Sequence, residues 1–165
     1  MDKSSTFRNV LAKYLPENFV PYVSDLIVVS GVRFKIVPPR STKLGDFKVS
    51  IKEKSKPQIT VNGNLNPYAF LVTTLHELAH LNTHVKYGNY VYPHGKEWKN
   101  EFSILLKPVL NDLSLPNELK IILTKSIKNL KASSCSDIHL SRALKQYDDP
   151  KTTIALEDLD GDSLF

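Results

Sequence analysis

The segment His76-Glu77-Leu78-Ala79-His80, set inside the apolar run of residues 70–81, restricts what this chain can fold into more than any other feature of it. Positions four apart on a helix share a face one turn apart, so His76 and His80 can aim two imidazoles at one ion. Glu77 follows the first of them and is turned from it by about 100°, beside a metal rather than on it. A base for an attacking water belongs in that position. Three ionisable groups on so apolar a helix are expensive to bury unless a metal or a partner compensates them. The spacing therefore predicts a buried helix carrying a metal site.

A catalytic zinc takes three protein ligands and keeps a fourth position open. His84, His94 and His139 are the candidates for the third ligand. His84 continues the same face but lies roughly 12 Å from His76 along the axis, at about 1.5 Å per residue. That is too far for one ion with Zn–N bonds of about 2.0–2.1 Å. His139 stands in a Ser-rich polar stretch and reads as ordinary surface. His94 follows Gly88 and Pro93, where the chain can turn back, and opens a new amphipathic run. It has the better geometry.

Helical spacing of Phe, Leu, Val, Tyr and Ile covers residues 5–14 and 17–29, with Pro16 as a break and Gly31 as a stop. Residues 32–37 alternate around Arg33 and Lys35 as a strand that Pro38-Pro39 ends. Residues 47–51 alternate with lysines as a second strand, and residues 58–62 form a third, closed by Asn62-Gly63-Asn64. Asn66 caps the histidine helix and Pro67 occupies its first turn, which gives a helix over 67–87. Further helices are expected from His94 or Gly95 to 106 and over 116–130. The fold class that follows is α+β: a short three-stranded sheet packed on helices, with the His76 helix between the sheet and the His94 helix.

The run from Phe70 to Phe102, with His-Glu-Leu-Ala-His-Leu and then Pro93-His94-Gly95-Lys96-Glu97-Trp98, resembles the SprT-like domain, the family of bacterial SprT proteins and eukaryotic Spartan-type proteases. Lys13-Tyr14-Leu15-Pro16, Arg40-Ser41-Thr42-Lys43-Leu44-Gly45-Asp46 and Ile59-Thr60-Val61-Asn62 are similar to segments of bacterial members, so the resemblance covers roughly residues 10–130. It implies a zincin-like metallopeptidase domain over residues 1–131, with His76, His80 and His94 as ligands of one zinc per chain and Glu77 as general base. The implied reaction is hydrolysis of peptide bonds in protein or peptide substrates, DNA-associated or DNA-crosslinked proteins among them. It further implies an edge strand along the cleft, for which residues 58–62 are the candidate. Tyr87, Tyr90 and Tyr92 fall between the second and third ligands as candidate oxyanion donors, although each reads more readily as a packing or surface aromatic. Trp98, one turn beyond His94, is expected to pack behind the site, and the adjacent Glu97 either supports it or is solvated. The single cysteine, Cys135, departs from members that carry a cysteine-rich zinc ribbon.

Charge adds a second reading. Residues 1–136 hold 19 basic and 10 acidic side chains, whereas residues 137–165 hold 3 and 7. The polar, acidic stretch over 132–165 is expected to be a flexible tail, ending in an apolar Leu164-Phe165 pair that suggests either a docking element or a fragment of a longer protein. Arg40, Lys43, Lys48, Lys52, Lys54 and Lys56 crowd into one short region, a candidate nucleic-acid-binding patch. Lysines alternating along a strand also describe an ordinary solvated face. The alternative function is thus a non-catalytic, zinc-containing DNA-binding or adaptor protein. No apolar run approaches the roughly 20 residues of a membrane span, and the first residues lack the pattern of a secretory signal. The expected location is cytoplasmic.

Overall fold

Asn66, Pro67 and Gly88 set the limits of the helix on which the rest of the fold is assembled. The computed structural model describes residues 2–50, 56–128 and 138–149. In chain order its elements are α1 (Lys3–Leu11), α2 (Val20–Ser30), β1 (Arg33–Val37), β2 (Gly45–Lys48), β3 (Gln58–Asn62), α3 (Pro67–Tyr87), α4 (Lys96–Leu110), α5 (Asn117–Lys128) and α6 (Ile138–Lys145). The Asn66 side chain accepts the N–H of Ala69 at 2.9 Å, and Gly88, at φ 63°, stops α3 in the left-handed region that a side chain resists. Between those limits α3 is buried on nearly every side, from Ala69 and Phe70 through Leu75, His76, Glu77 and Leu78 to Leu81. A helix of that kind is a core helix.

A three-stranded sheet lies against one side of α3 through β2 and β3, in the order β1-β3-β2, with β1 parallel and β2 antiparallel to β3. Side chains paired across strands point to one face. The rows Phe34–Ile59–Phe47 and Ile36–Val61–Gly45 face the helices, and Ile59 and Val61 are wholly buried there. The rows Arg33–Gln58–Lys48 and Lys35–Thr60–Asp46 form the outer face. On the far side of α3, α4 contributes Trp98, Phe102, Leu105 and Leu106 to a core that continues through Leu119 and Leu123 of α5. Lys86 near the end of α3 forms a salt bridge with the buried carboxylate of Glu101 on α4, tying the two helices together.

Several elements differ from the sequence expectation. The second strand begins at Gly45 rather than at residue 47. The turn Glu17–Phe19 is 3-10, and α2 proper starts at Val20. Helix α4 passes through Pro108 to Leu110 instead of stopping near 106. Pro108 forfeits the bond to the Ile104 carbonyl on the exposed side of the helix, while Leu105, Leu106 and Val109 stay buried on the other.

The boundary expected at 131/132 lies outside the described residues, but α6, within the stretch expected as a tail, is packed on the core. Leu140 and Ala143 of α6 are buried in the core, with Leu144 and Tyr147 packed against it. The Tyr147 ring meets Tyr68 edge-on at 4.8 Å, and Asn66 Nδ2 donates to the Leu144 carbonyl at 2.8 Å and the Asp148 carboxylate at 2.6 Å. The cap of α3 is thereby fastened to α6 and the residues just after it. Cys135 and residues 150–165 lie outside the described residues. No described helix is long and apolar enough to cross a membrane.

Candidate metal centre

His76 and His80 leave α3 one turn apart, and the chain returns to them through Tyr92-Pro93-His94-Gly95. The N–H of Gly95 donates to the Tyr92 carbonyl at 3.0 Å, closing a turn with Pro93 and His94 in its middle. His94 has φ 59°, the left-handed value that a type II turn demands after its proline and that glycine or asparagine normally supplies. A histidine in that position carries strain of order 1 kcal/mol or more. In return its ring is aimed at α3. The next residue is constrained as well, since a Cβ on Gly95 would meet the Tyr92 carbonyl at 3.0 Å.

The result is a triangle of imidazole nitrogens. Nε2 of His80 lies 3.2 Å from that of His76 and 3.0 Å from that of His94, and the His76 and His94 atoms are 3.0 Å apart. A tetrahedral ion with bonds of about 2.0–2.1 Å separates its nitrogen ligands by about 3.3 Å. The triangle is slightly tighter and of the right size. His76 is buried and the other two are half-buried, so these three histidines lie close enough to bind a metal ion. Trp98, 1% exposed, sits behind all three, with its ring 4.7 Å from those of His76 and His94 and 5.4 Å from that of His80. Its Nε1 donates to the His76 carbonyl at 3.3 Å.

Electrostatics favour three neutral rings. Burial, reinforced by the other two histidines, drives the His76 pKa down to about 2. Burial and His94 lower that of His80 to about 4, and burial with Lys99 lowers that of His94. Neutral imidazole is the form that ligates metal, so at neutral pH no proton competes.

Glu77 lies beside this triangle under β2. Gly45 presses directly on it: a Cβ there would come within 2.8 Å of Thr73 Cγ2, 2.9 Å of Glu77 Oε1 and 3.0 Å of Glu77 Cγ. Burial first and Asp46 second push the Glu77 pKa up to about 8, against the opposing pull of Arg40 and Lys43. The segment leading into Gly45 is itself fastened. Asn62, buried on β3, donates Nδ2 to the carbonyls of Arg40 (3.2 Å) and Lys43 (2.8 Å) and its N–H to that of Leu44 (2.9 Å).

The sheet order corrects the expected edge. β3 is the central strand, hydrogen-bonded on both sides, so residues 58–62 cannot receive an extended chain, and the edge beside the site is β2. Pairing of Asn62 with Leu44 sets the phase of the β2–β3 ladder. Asp46 and Lys48 turn their backbone groups toward β3, and those of Gly45 and Phe47 point to the open edge. The Phe47 side chain lies nearly parallel to the His80 ring (6.4 Å, 7°) and tilted against His84 (5.9 Å).

Other expected residues lie elsewhere. His84 is outside the triangle and His139 is exposed on α6. Tyr87, Tyr90 and Tyr92 are 41%, 97% and 85% exposed. Glu97 folds back toward the Gly95 turn. Of the basic patch, Lys52 and Lys54 lie outside the described residues. Arg40 is turned onto the sheet, donating Nε to Asn62 Oδ1 and Nη1 to Thr60 Oγ1, both at 2.9 Å. Lys43 and Lys48 both pair with Asp46, at 3.3 and 3.4 Å, and Lys56 is exposed. Gly45 and Phe47 are the site residues that the sequence reading missed. A glycine next to the start of a strand was the available signal for the first.

Comparison of the chain with family models, with curated proteins and with solved structures found no match.

Proposed function

We propose that this chain is a zinc-dependent peptidase with a zincin-like domain, hydrolysing peptide bonds of protein substrates. One observation carries the reading: three neutral imidazole nitrogens 3.0–3.2 Å apart, beside a buried carboxylate held under a glycine. Three nitrogen donors, with no fourth described His, Cys, Asp or Glu among them, suit zinc among the divalent ions, and His76, His80 and His94 would hold it. When bound, zinc would supply Lewis acidity to the scissile carbonyl and the attacking water, and its charge would favour the ionised form of Glu77.

Glu77 takes a proton from the water onto a carboxylate oxygen as the water oxygen bonds to the carbonyl carbon. It returns that proton to the amide nitrogen as the C–N bond breaks, so one carboxylate serves both half-reactions. Gly45 confines that carboxylate, and Trp98 holds the backbone and rings of the ligands still. The open edge of β2, presenting the backbone groups of Gly45 and Phe47, receives an extended substrate by strand addition, which gives affinity with little sequence demand. The test is metal dependence. Chelation should abolish cleavage of an unfolded protein substrate and one equivalent of zinc should restore it; cleavage that persists in zinc-free protein contradicts the proposal.

A second reading has its own observation. The outer sheet face exposes Arg33, Lys35 and Lys48 together, with Lys56 exposed at the start of the described chain before β3. This face suits a polyanion and would direct the peptidase to DNA-associated proteins. Binding to DNA that weakens steeply with salt, and is lost when Arg33, Lys35 and Lys48 are replaced together, would support it. Salt-independent binding would remove it.

A further inference from the structure

The open edge of β2 determines more than affinity. A strand added antiparallel to β2 pairs residue against residue with Gly45 and Phe47, because these two direct their N–H and C=O outward. Residues directly opposite one another project to the same face, with Cβ atoms about 4.5–5.5 Å apart. That face is the one on which Gly45 covers Glu77 and Phe47 covers His80 and His84. The substrate residue facing Gly45 meets no side chain from β2, which leaves room for its backbone beside Glu77. The residue facing Phe47, two positions nearer the substrate N-terminus, is set down beside a half-buried aromatic ring and the half-buried His84.

We infer that Phe47 is a specificity-determining residue, taking one large apolar side chain of the substrate on the N-terminal side of the cleaved bond. The inference rests on the peptidase reading of the same site. Its physical basis is local: of the two β2 positions where pleat and register bring an incoming side chain onto the metal side, Gly45 has no side chain and Phe47 offers an apolar surface. The outward-facing neighbours, Asp46 and Lys48, are paired with each other on the opposite face and contribute nothing there. An apolar side chain that buries about 50–60 Å² against Phe47 gains about tenfold in affinity at about 25 cal/mol per Å², and an acidic or glycine residue gains nothing.

The experiment uses the zinc-loaded full chain and three hydroxamates, whose binding requires no turnover. Acetohydroxamate has no side chain, and two peptidyl hydroxamates carry Phe or Gly at the position facing Phe47. The Phe compound should bind wild type about tenfold more tightly than the Gly compound, with the preference lost in Phe47→Ala and kept in Phe47→Leu. Acetohydroxamate affinity should stay the same in all three proteins, which shows that the site is intact. A wild type without preference, or a preference that survives Phe47→Ala, overturns the inference. Hydroxamate discrimination with no peptide cleaved by any form would uphold the role of Phe47 and sink the peptidase reading instead. In a peptide mixture, wild type should select apolar residues at one position N-terminal to the cut and Phe47→Ala should not; selection confined to the C-terminal side also overturns the inference.

Discussion

Gly45→Ala tests the contact on which the account of Glu77 depends. Its backbone is of the ordinary extended kind, so alanine meets no conformational obstacle and even gains roughly 0.5–1 kcal/mol over glycine in a strand. The obstacle is space. The new Cβ would lie 2.8 Å from Thr73 Cγ2, 2.9 Å from Glu77 Oε1 and 3.0 Å from Glu77 Cγ, each at least 0.4 Å inside the 3.4 Å limit of ordinary contact. Overpacking of this degree costs about 1–3 kcal/mol, leaving a net loss of about 1–2 kcal/mol. The carboxylate must retreat by about half an ångström. Since a misplacement of about 1 Å costs about 10² in rate, kcat should fall about tenfold. Zinc affinity should be unchanged, because none of the three histidines is touched. Adding Thr73→Ser removes the shortest contact and should recover stability without recovering kcat. Urea unfolding, chelator competition and peptide hydrolysis measure the three quantities. An alanine variant with wild-type kcat and stability would show that β2 does not press on Glu77, and the reasoning would fail.

Three further outcomes follow from the same geometry. His94→Asn suits the left-handed turn position better than histidine, so metal-free protein should keep its stability or gain up to about 1 kcal/mol while zinc binding collapses; metal-free unfolding and chelator competition check the pair. Trp98→Phe removes the Nε1 bond to the His76 carbonyl but keeps a ring behind the ligands, and should cost about 1 kcal/mol and weaken zinc binding, read by the same two assays. The third outcome concerns pH. In metal-free protein, the raised Glu77 pKa (about 8 against an ordinary 4.5) contributes stability that is present below pH 4.5 and lost as pH rises toward 8. The depressed values of His76 and His80 act in the opposite direction, with stability present above 6.5 and lost as pH falls toward about 4 and below. Each group contributes a slope of at most about 1.4 kcal/mol per pH unit. The stability of Glu77→Gln relative to wild type should therefore rise between pH 6 and 8; a pH-independent difference in urea unfolding contradicts this.

Much of the fold was legible because its signals are local. Asn66-Pro67 and Gly88 mark the ends of α3, and Gly31 at φ 66° stops α2 as glycine does. The proximity of His94 to His76 and His80 was legible too, since Pro93 and Gly95 announce a turn. Hydrogen-bond partnership between strands is not a local signal. Residues 58–62 could be recognised as a strand but not as the central one, and the edge role passed to β2 for that reason. Arg40 read as part of a solvated basic patch because its partners, Thr60 and Asn62, are 20 and 22 residues away. The spacing of Leu140, Ala143, Leu144 and Tyr147 is that of a helix face, but the acidic composition around it read as a tail. Gly45 looked like punctuation, and only the packing of β2 on α3 shows that its missing side chain makes room for Glu77.

The central claim is that three histidines hold a catalytic zinc for which Glu77 is the base. Its most direct test is cleavage of an unfolded protein by wild type and Glu77→Gln, each carrying one zinc per chain. The account predicts that the glutamine variant keeps its zinc and loses at least about a hundredfold in kcat, the lower range for a general acid–base group. Equal cleavage by the two zinc-loaded proteins would contradict it.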